Sequence, residues 1–309
     1  MSLRMNFRRW ACTALALALA AQAGHSIAQQ PREGLREPVY RVAQQQAAAD
    51  TAVAVAAVGS PASRKLSTKD LADAAPGEHP LLPAVRWAKH GLEDVRAKQD
   101  YSCDFVKRER IDGELGEAQY VFMKVRHEPF SVYLRFKGPD SMKGQEVIYV
   151  RDKNNGELLA HPTGIKKRLV GTVSLKPNSM LAMSGNRYPI TEIGILHLVE
   201  RLIEVGEHDM QYGECEVELY REAKINERSA TCIQVHHPVA RRNFLFHLAR
   251  IYVDDELNVP VRYEAYEWPK ANDPEGEPVL LEEYTYYNIK FDNNFTDLDF
   301  DQKNPEYDF

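Results

Sequence analysis

The side chains able to do chemistry are scattered rather than gathered into a motif. No Gly-x-Gly-x-x-Gly, P-loop, His-Glu-x-x-His, Gly-x-Ser-x-Gly or paired-cysteine zinc spacing occurs. Acids are abundant: Glu264 and Glu267 fall in one expected strand, Glu282 and Glu283 in the next. Two carboxylates facing one cleft would suit glycoside hydrolysis. Exposed acids are the norm, so a solvated outer sheet face is the plainer reading. His236-His237 is the one adjacent histidine pair. Neighbours on a strand point to opposite faces, which suits them poorly to one metal ion. Asp254-Asp255-Glu256 marks a turn and lacks the spacing and glycine of a calcium loop. No catalytic residue, metal or cofactor is therefore expected. Lys166-Lys167-Arg168 and Arg241-Arg242 are basic groups on an acidic background. Such groups dock anionic head groups or acidic partners, and more commonly they solubilise loops.

The chain that must position these residues has 309 of them, 44% hydrophobic and 27% charged, enough to bury a core. A net charge of −6 argues against a dedicated nucleic-acid binder. Arg4, Arg8 and Arg9 precede an Ala/Leu-rich apolar run from Trp10 to Ala21, followed by small-x-small sites at Ala21–Ala23 and Ser26–Ala28. This is the layout of a cleaved signal peptide over residues 1–28, and the apolar run is short for a membrane span. Its removal takes away three arginines and no acid, carrying the net charge from −6 to −9. The expectation is a periplasmic monomer, soluble or peripheral to the membrane.

Residues 29–79 contain a Gln44–Gln46 run, an Ala/Val run over 52–58 and few large apolar side chains. They read as a low-complexity tether. Residues 80–309 read as one domain. Leu81, Ala84, Val85, Ala88, Leu92 and Val95 share a helical face. A second helix carries Ile195, Leu198, Leu202 and Val205 on its stripe, with Thr191 as expected N-cap and Gly206 as expected stop. The rest alternates as strands: 101–110 and 118–126 around Asp112-Gly113, then 131–137, 144–151, 157–161, 214–225, 230–236, 246–254, 260–268 and 280–291. A short helix is expected near Ser179–Met183 within the loop 162–190. Few helices among many sequential strands imply an antiparallel meander.

Three cysteines remain after residue 28. Cys215 and Cys232 lie on neighbouring expected strands and are the favoured disulfide in an oxidising compartment. Three buried thiols, Cys103 among them, are the equally weighted alternative.

The apolar strand faces are the strongest functional clue. Val132, Leu134 and Phe136 share one face; Ile148 belongs to the next strand. Ala249, Ile251 and Val253 form a second set, Val261, Tyr263 and Ala265 a third, and Thr285, Tyr287, Ile289 and Phe291 a fourth. With Leu198 and Leu202 from the helix they line either a filled core or a cavity for an apolar ligand.

The order of these elements resembles the LolA-like periplasmic lipoprotein carriers. The carrying segments are Met123–Phe130, Glu146–Leu159, Ile251–Asp255 with Val259–Tyr263, and Tyr284–Phe291 followed by Asp299-Phe300. The chain is more similar still to an exported branch called domain of unknown function 1571. The resemblance covers residues 80–303 and implies an α+β, mainly antiparallel fold: an incomplete barrel, half open and closed by a few helices, around an apolar cavity. It further implies acyl chains or a lipidated protein as ligand, an envelope acceptor as partner, no covalent catalysis, and a lid-latching role for Arg126. A filled structural or interaction module, and an envelope glycan hydrolase with two inward carboxylates, are the competing expectations.

Overall fold

The computed structural model describes residues 40–41, 67–164, 171–269 and 276–309. The expected signal peptide and the Lys166–Arg168 group lie outside these residues.

Thirteen strands form one antiparallel sheet. They are β1 (Tyr40–Arg41), β2 (Asp100–Ile111), β3 (Glu114–Leu115), β4 (Gln119–Arg126), β5 (Ser131–Gly138), β6 (Glu146–Val150), β7 (Leu158–His161), β8 (Val173–Leu175), β9 (Glu216–Ile225), β10 (Arg228–His236), β11 (Leu248–Asp254), β12 (Pro260–Glu267) and β13 (Val279–Phe291). Their spatial order is β1-β9-β10-β11-β12-β13-β2-β4-β5-β6-β7-β8, with β3 paired to β2. The sheet is not closed: β1 and β8 are its edges among the described residues. The expected mainly antiparallel, half-open architecture is therefore observed. Asp112 and Gly113 both take positive φ at the tip of the β2–β3 hairpin, as the Asp-Gly signal requires.

Helices α1 (Leu82–Arg96) and α3 (Ile195–Asp209) lie on one face of the sheet, hereafter the inner face; α2 is the short helix Met180–Met183. Pro83 sits in the first turn of α1, where its missing N–H costs nothing. Val85, Trp87 and Val95 are its buried residues; Ile195, Val199, Ile203 and Gly206 line the buried stripe of α3. Gly206 does not end its helix, which continues to Asp209. It is instead the place where the two helices touch, for a Cβ there would stand 2.7 Å from Val85 Cγ2. Thr191 is likewise not the N-cap. It lies in a separate 3-10 turn, and Gly194 at φ 111° precedes the helix. A Cβ on Gly194 would meet the Tyr101 hydroxyl at 2.8 Å. That hydroxyl accepts the Ile195 N–H at 2.9 Å, so a buried strand tyrosine does the capping.

Residues 67–79, expected in the tether, pack against the sheet. Thr68 and Leu71 are buried, and Thr68 Oγ1 donates to Asp255 at 2.7 Å. Arg221 of β9 donates to the Leu71 carbonyl at 2.7 Å.

The outer face of β4–β6 is covered by residues 292–309. Tyr133, Ile148, Val150 and Phe300 form a second small core there, with Phe122, Phe295, Tyr307 and Phe309 packed on it. Tyr307 stacks on Tyr133 with ring centroids 3.9 Å apart. Lys124 pairs with Asp299 at 2.8 Å and faces the rings of Phe295 and Tyr307 at 5.1 and 5.4 Å.

Candidate binding face

The inner face is built by alternation along each strand. Tyr101, Cys103 and Phe105 on β2, Val121, Met123 and Val125 on β4, and Val147 and Tyr149 on β6 join one core with the helices. Of the expected ligand-lining residues, Val132, Leu134, Phe136, Val253, Ile251, Tyr263, Ile289 and Leu198 lie in or against this core. Leu202 is half-buried on α3.

Two expected residues are on the other side. Ile148 pairs with Tyr133 and joins the outer core, because Val147 and Tyr149 take the inner positions of β6. Tyr287 pairs with Asp104 and faces outward with Thr285. The cause is a bulge at Asn288, φ 53°, which shifts the register between Tyr287 and Lys290. One extra residue exchanges the faces, so Tyr284 and Tyr286 point inward before it, and Ile289 and Phe291 after it.

Arg126, the expected latch, lies on the face of β4 away from α1 and α3. It faces outward, donates to Asp297 at 2.9 Å and to Ser131 Oγ at 3.0 Å, and lies over the Phe300 ring. Its work is to hold the C-terminal segment. The Asp299-Phe300 pair has the same purpose, Asp299 binding Lys124 and Phe300 filling the outer core.

The expected Cys215–Cys232 disulfide is not formed; all three described cysteines are buried thiols. The strands are neighbours as expected, but the register opposes Cys232 to Tyr220 and Glu216 to His236. Cys215 therefore lies about five residues further along, on the order of 16 Å at strand rise, beyond the reach of a disulfide. Burial pushes the Cys215 and Cys232 thiols each up to about 12.

The acids are not a solvated outer face throughout. Glu267 is exposed, but Glu264 is buried and accepts from Tyr252 at 3.1 Å and Tyr266 at 2.9 Å on the outer side. Glu282 is buried on the inner side, directly opposite Glu109 of β2. Tyr284 donates to Glu109 at 2.6 Å and stands 3.3 Å from Glu282. Lys107 binds Glu109 at 2.9 Å, and Arg187 binds Glu282 at 2.6 Å. Tyr188 donates to Glu282 at 3.1 Å. Burial pushes the Glu282 carboxyl up, with Arg187 and Tyr188 pulling it back; burial and Glu282 push Tyr188 to about 12. Each carboxylate is thus charge-balanced by its own cation. Glu109 was missed in the sequence, although it continues the Tyr101, Cys103, Phe105, Lys107 alternation. Residues 186–188 lay in a loop with no periodicity to read.

This polar group lies under a thinly held segment. None of residues 171–193 is buried, and Met180 and Leu181 are exposed apolar side chains. Arg241 forms a surface ion pair with Glu214. Among the described residues, no three His, Cys, Asp or Glu side chains gather as metal ligands. Among them, too, no helix is long and apolar enough to cross a membrane.

An open antiparallel sheet with one apolar face under two helices defines a half-barrel scaffold. Residues 98–309 match the family described as protein of unknown function (DUF1571), and the chain belongs to that family. Among curated proteins, none matches the chain. Distant likenesses occur among solved structures. Lipoprotein LppX of Mycobacterium tuberculosis is 12% identical, with a TM-score of 0.39, 70% of this chain and 98% of that chain covered. A LolA superfamily protein of Nitrosomonas europaea is 12% identical, with a TM-score of 0.29 and coverages of 70% and 97%. A putative outer membrane lipoprotein-sorting protein domain of Vibrio parahaemolyticus is 10% identical, with a TM-score of 0.31 and coverages of 69% and 97%.

Proposed function

We propose that the chain is an exported, non-catalytic carrier or sensor in the cell envelope that takes a lipid, or the acyl chains of a lipidated protein, on its inner face. One observation carries this reading. The apolar face is not closed by the sheet itself, but by two 15-residue helices, each contributing a single buried stripe. Acyl chains then need a helix to shift rather than strands to part. Each buried methylene is worth about 0.8 kcal/mol, so one chain offsets several lost side-chain contacts. The charge-balanced Glu109 and Glu282 support a binding role over hydrolysis.

The filled interaction module is the second reading, and a specific observation favours it: Val132, Met123 and Ile195 have no solvent exposure, so their own neighbours occupy the interior. Native mass spectrometry of protein purified from its own envelope separates the two, with solvent extraction of anything bound. The carrier reading expects a stoichiometric lipid or acylated peptide, or uptake of added lipopeptide. A clean apo mass that takes up neither defeats it in favour of the filled module.

A further inference from the structure

Two basic connections that the binding face does not use carry most of the apolar side chains the protein leaves in water. Six large hydrophobic side chains are exposed among the described residues. Five of them lie either in residues 162–193, between β7 and α3, or in the connection from β10 to β11. Met180 and Leu181 are 92% and 65% exposed, Val239 and Leu245 47% and 56%. Residues 158–191 and 228–253 contain no Asp or Glu, in a chain whose 45 acids outnumber its 39 Lys and Arg. Lys176 is exposed one turn ahead of Met180, its carbonyl accepting the Ser179 N–H at 2.9 Å. Arg242 is exposed between Val239 and Leu245.

Both connections stand at one end of the sheet. The register pairs His236 with Leu248, Leu248 with Tyr266, Glu267 with Val279 and Glu282 with Glu109. The β10–β11 connection and the last residues of β2 therefore share that end. The segment holding α2 is tied to it. Asn186 donates to the Ala182 carbonyl at 3.0 Å and accepts from Lys107 at 2.5 Å, and Arg187 donates to the Arg110 carbonyl at 3.1 Å. The β2–β3 hairpin and the β5–β6 connection leave the same end with Asp112, Glu114 and Asp140, and neither exposes a large apolar side chain. Exposed apolar side chains thus go with the basic, acid-free connections and not with the acidic ones.

That pairing fits a lipid surface. A folded partner needs a contiguous patch, and apolar side chains standing in ones and twos on separate loops do not supply it. Each can instead enter the head-group boundary of a bilayer, where neighbouring cations meet phosphates. The net charge of −6 opposes approach to an anionic surface. Physiological salt screens it beyond roughly 8 Å, so the side chains nearest the surface decide. We propose that this end of the sheet docks on an anionic lipid bilayer, with Met180, Leu181, Val239 and Leu245 entering the head-group region and Lys176 and Arg242 among the phosphates. The docking surface stands on exposure and charge and not on the carrier reading.

The test is flotation of protein purified from its own envelope with vesicles of phosphatidylethanolamine and phosphatidylglycerol, and with vesicles of phosphatidylcholine alone. Wild type and variants share one N-terminus, so any contribution of residues 1–28 cancels. Binding is expected on the anionic vesicles only, and should weaken with salt. It should fall roughly tenfold or more in the double variant Met180→Ser, Leu181→Ser, and about fivefold in Arg242→Gln. These positions are exposed, and thermal unfolding checks that each variant keeps its fold. Met180→Cys carrying a polarity-sensitive fluorophore gives a second reading, because Cys103, Cys215 and Cys232 are buried. Its emission should shift to the blue on anionic vesicles. No binding to those vesicles, equal binding to phosphatidylcholine, or binding unchanged in the double variant overturns the docking surface. Absence from vesicles together with Arg242-dependent binding to polyglutamate also overturns it and makes this end a site for an acidic protein. A protein that docks yet takes up no lipid loses the carrier reading alone; one that takes up lipid and never docks loses the surface alone.

Discussion

Gly206 of α3 and Val85 of α1 touch where a single Cβ would close the gap to 2.7 Å. The helices that cover the inner face are thus set against each other by a missing side chain. A valine Cγ2 is not the end of a flexible chain, so added volume at position 206 must displace a helix.

Gly206→Ala should give back some helix propensity and lose more to the clash, while Gly206→Leu should cost about 1–3 kcal/mol through overpacking. Urea unfolding of the two variants checks the ordering. A leucine variant as stable as the wild type would show that the helices already stand apart.

On the outer face, Lys124 is held by Asp299 and the rings of Phe295 and Tyr307. Lys124→Met keeps the stem and removes the charge. It should cost about 1–2 kcal/mol, from a charge-assisted hydrogen bond and cation–π contacts in a half-buried place. Asp299, which burial alone would raise, is held below its usual range by Lys124 and the Thr296 backbone. Its share of stability is present above the ordinary aspartate pKa and lost as pH falls through the lowered value. Thermal unfolding between about pH 3 and pH 6 should therefore show a shallower acid loss in Lys124→Met, the range bracketing the ordinary aspartate value.

Cys215 and Cys232, each pushed to about 12 by burial, should resist thiol reagents in the folded protein at neutral pH. Denaturation of protein lacking residues 1–28 should release three reactive thiols, as only Cys103, Cys215 and Cys232 then remain. A denatured count of one would restore a disulfide. The count is read by intact mass after alkylation without reductant.

Most strands were legible because alternation of side chains is local: β5 and β12 lie within a residue or two of their expected bounds. Where a feature depends on pairing, the sequence was silent. Tyr287 reads as a partner of Ile289 until Asn288 takes positive φ and reverses the faces. Cys215 and Cys232 sit on adjacent strands in either register, and only the true one separates them. Gly206 has the composition of a helix stop, but its use is a contact more than a hundred residues away in the chain. Arg126 was placed by analogy with a segment whose neighbours differ here, and its partner Asp297 comes from a region with no strand signal.

The sheet order sets β13 between β12 and β2, so the last strand is the seam joining the half built from β9–β12 to the half built from β2–β8. A chain emerging N-terminus first can form two separate partial sheets but cannot unite them until residue 291 is free. The outer core of Tyr133 and Ile148 waits longer still, for Phe300 and Tyr307. Cooperative folding is thereby postponed to the end of synthesis, which leaves the unpaired strand edges in need of protection until then.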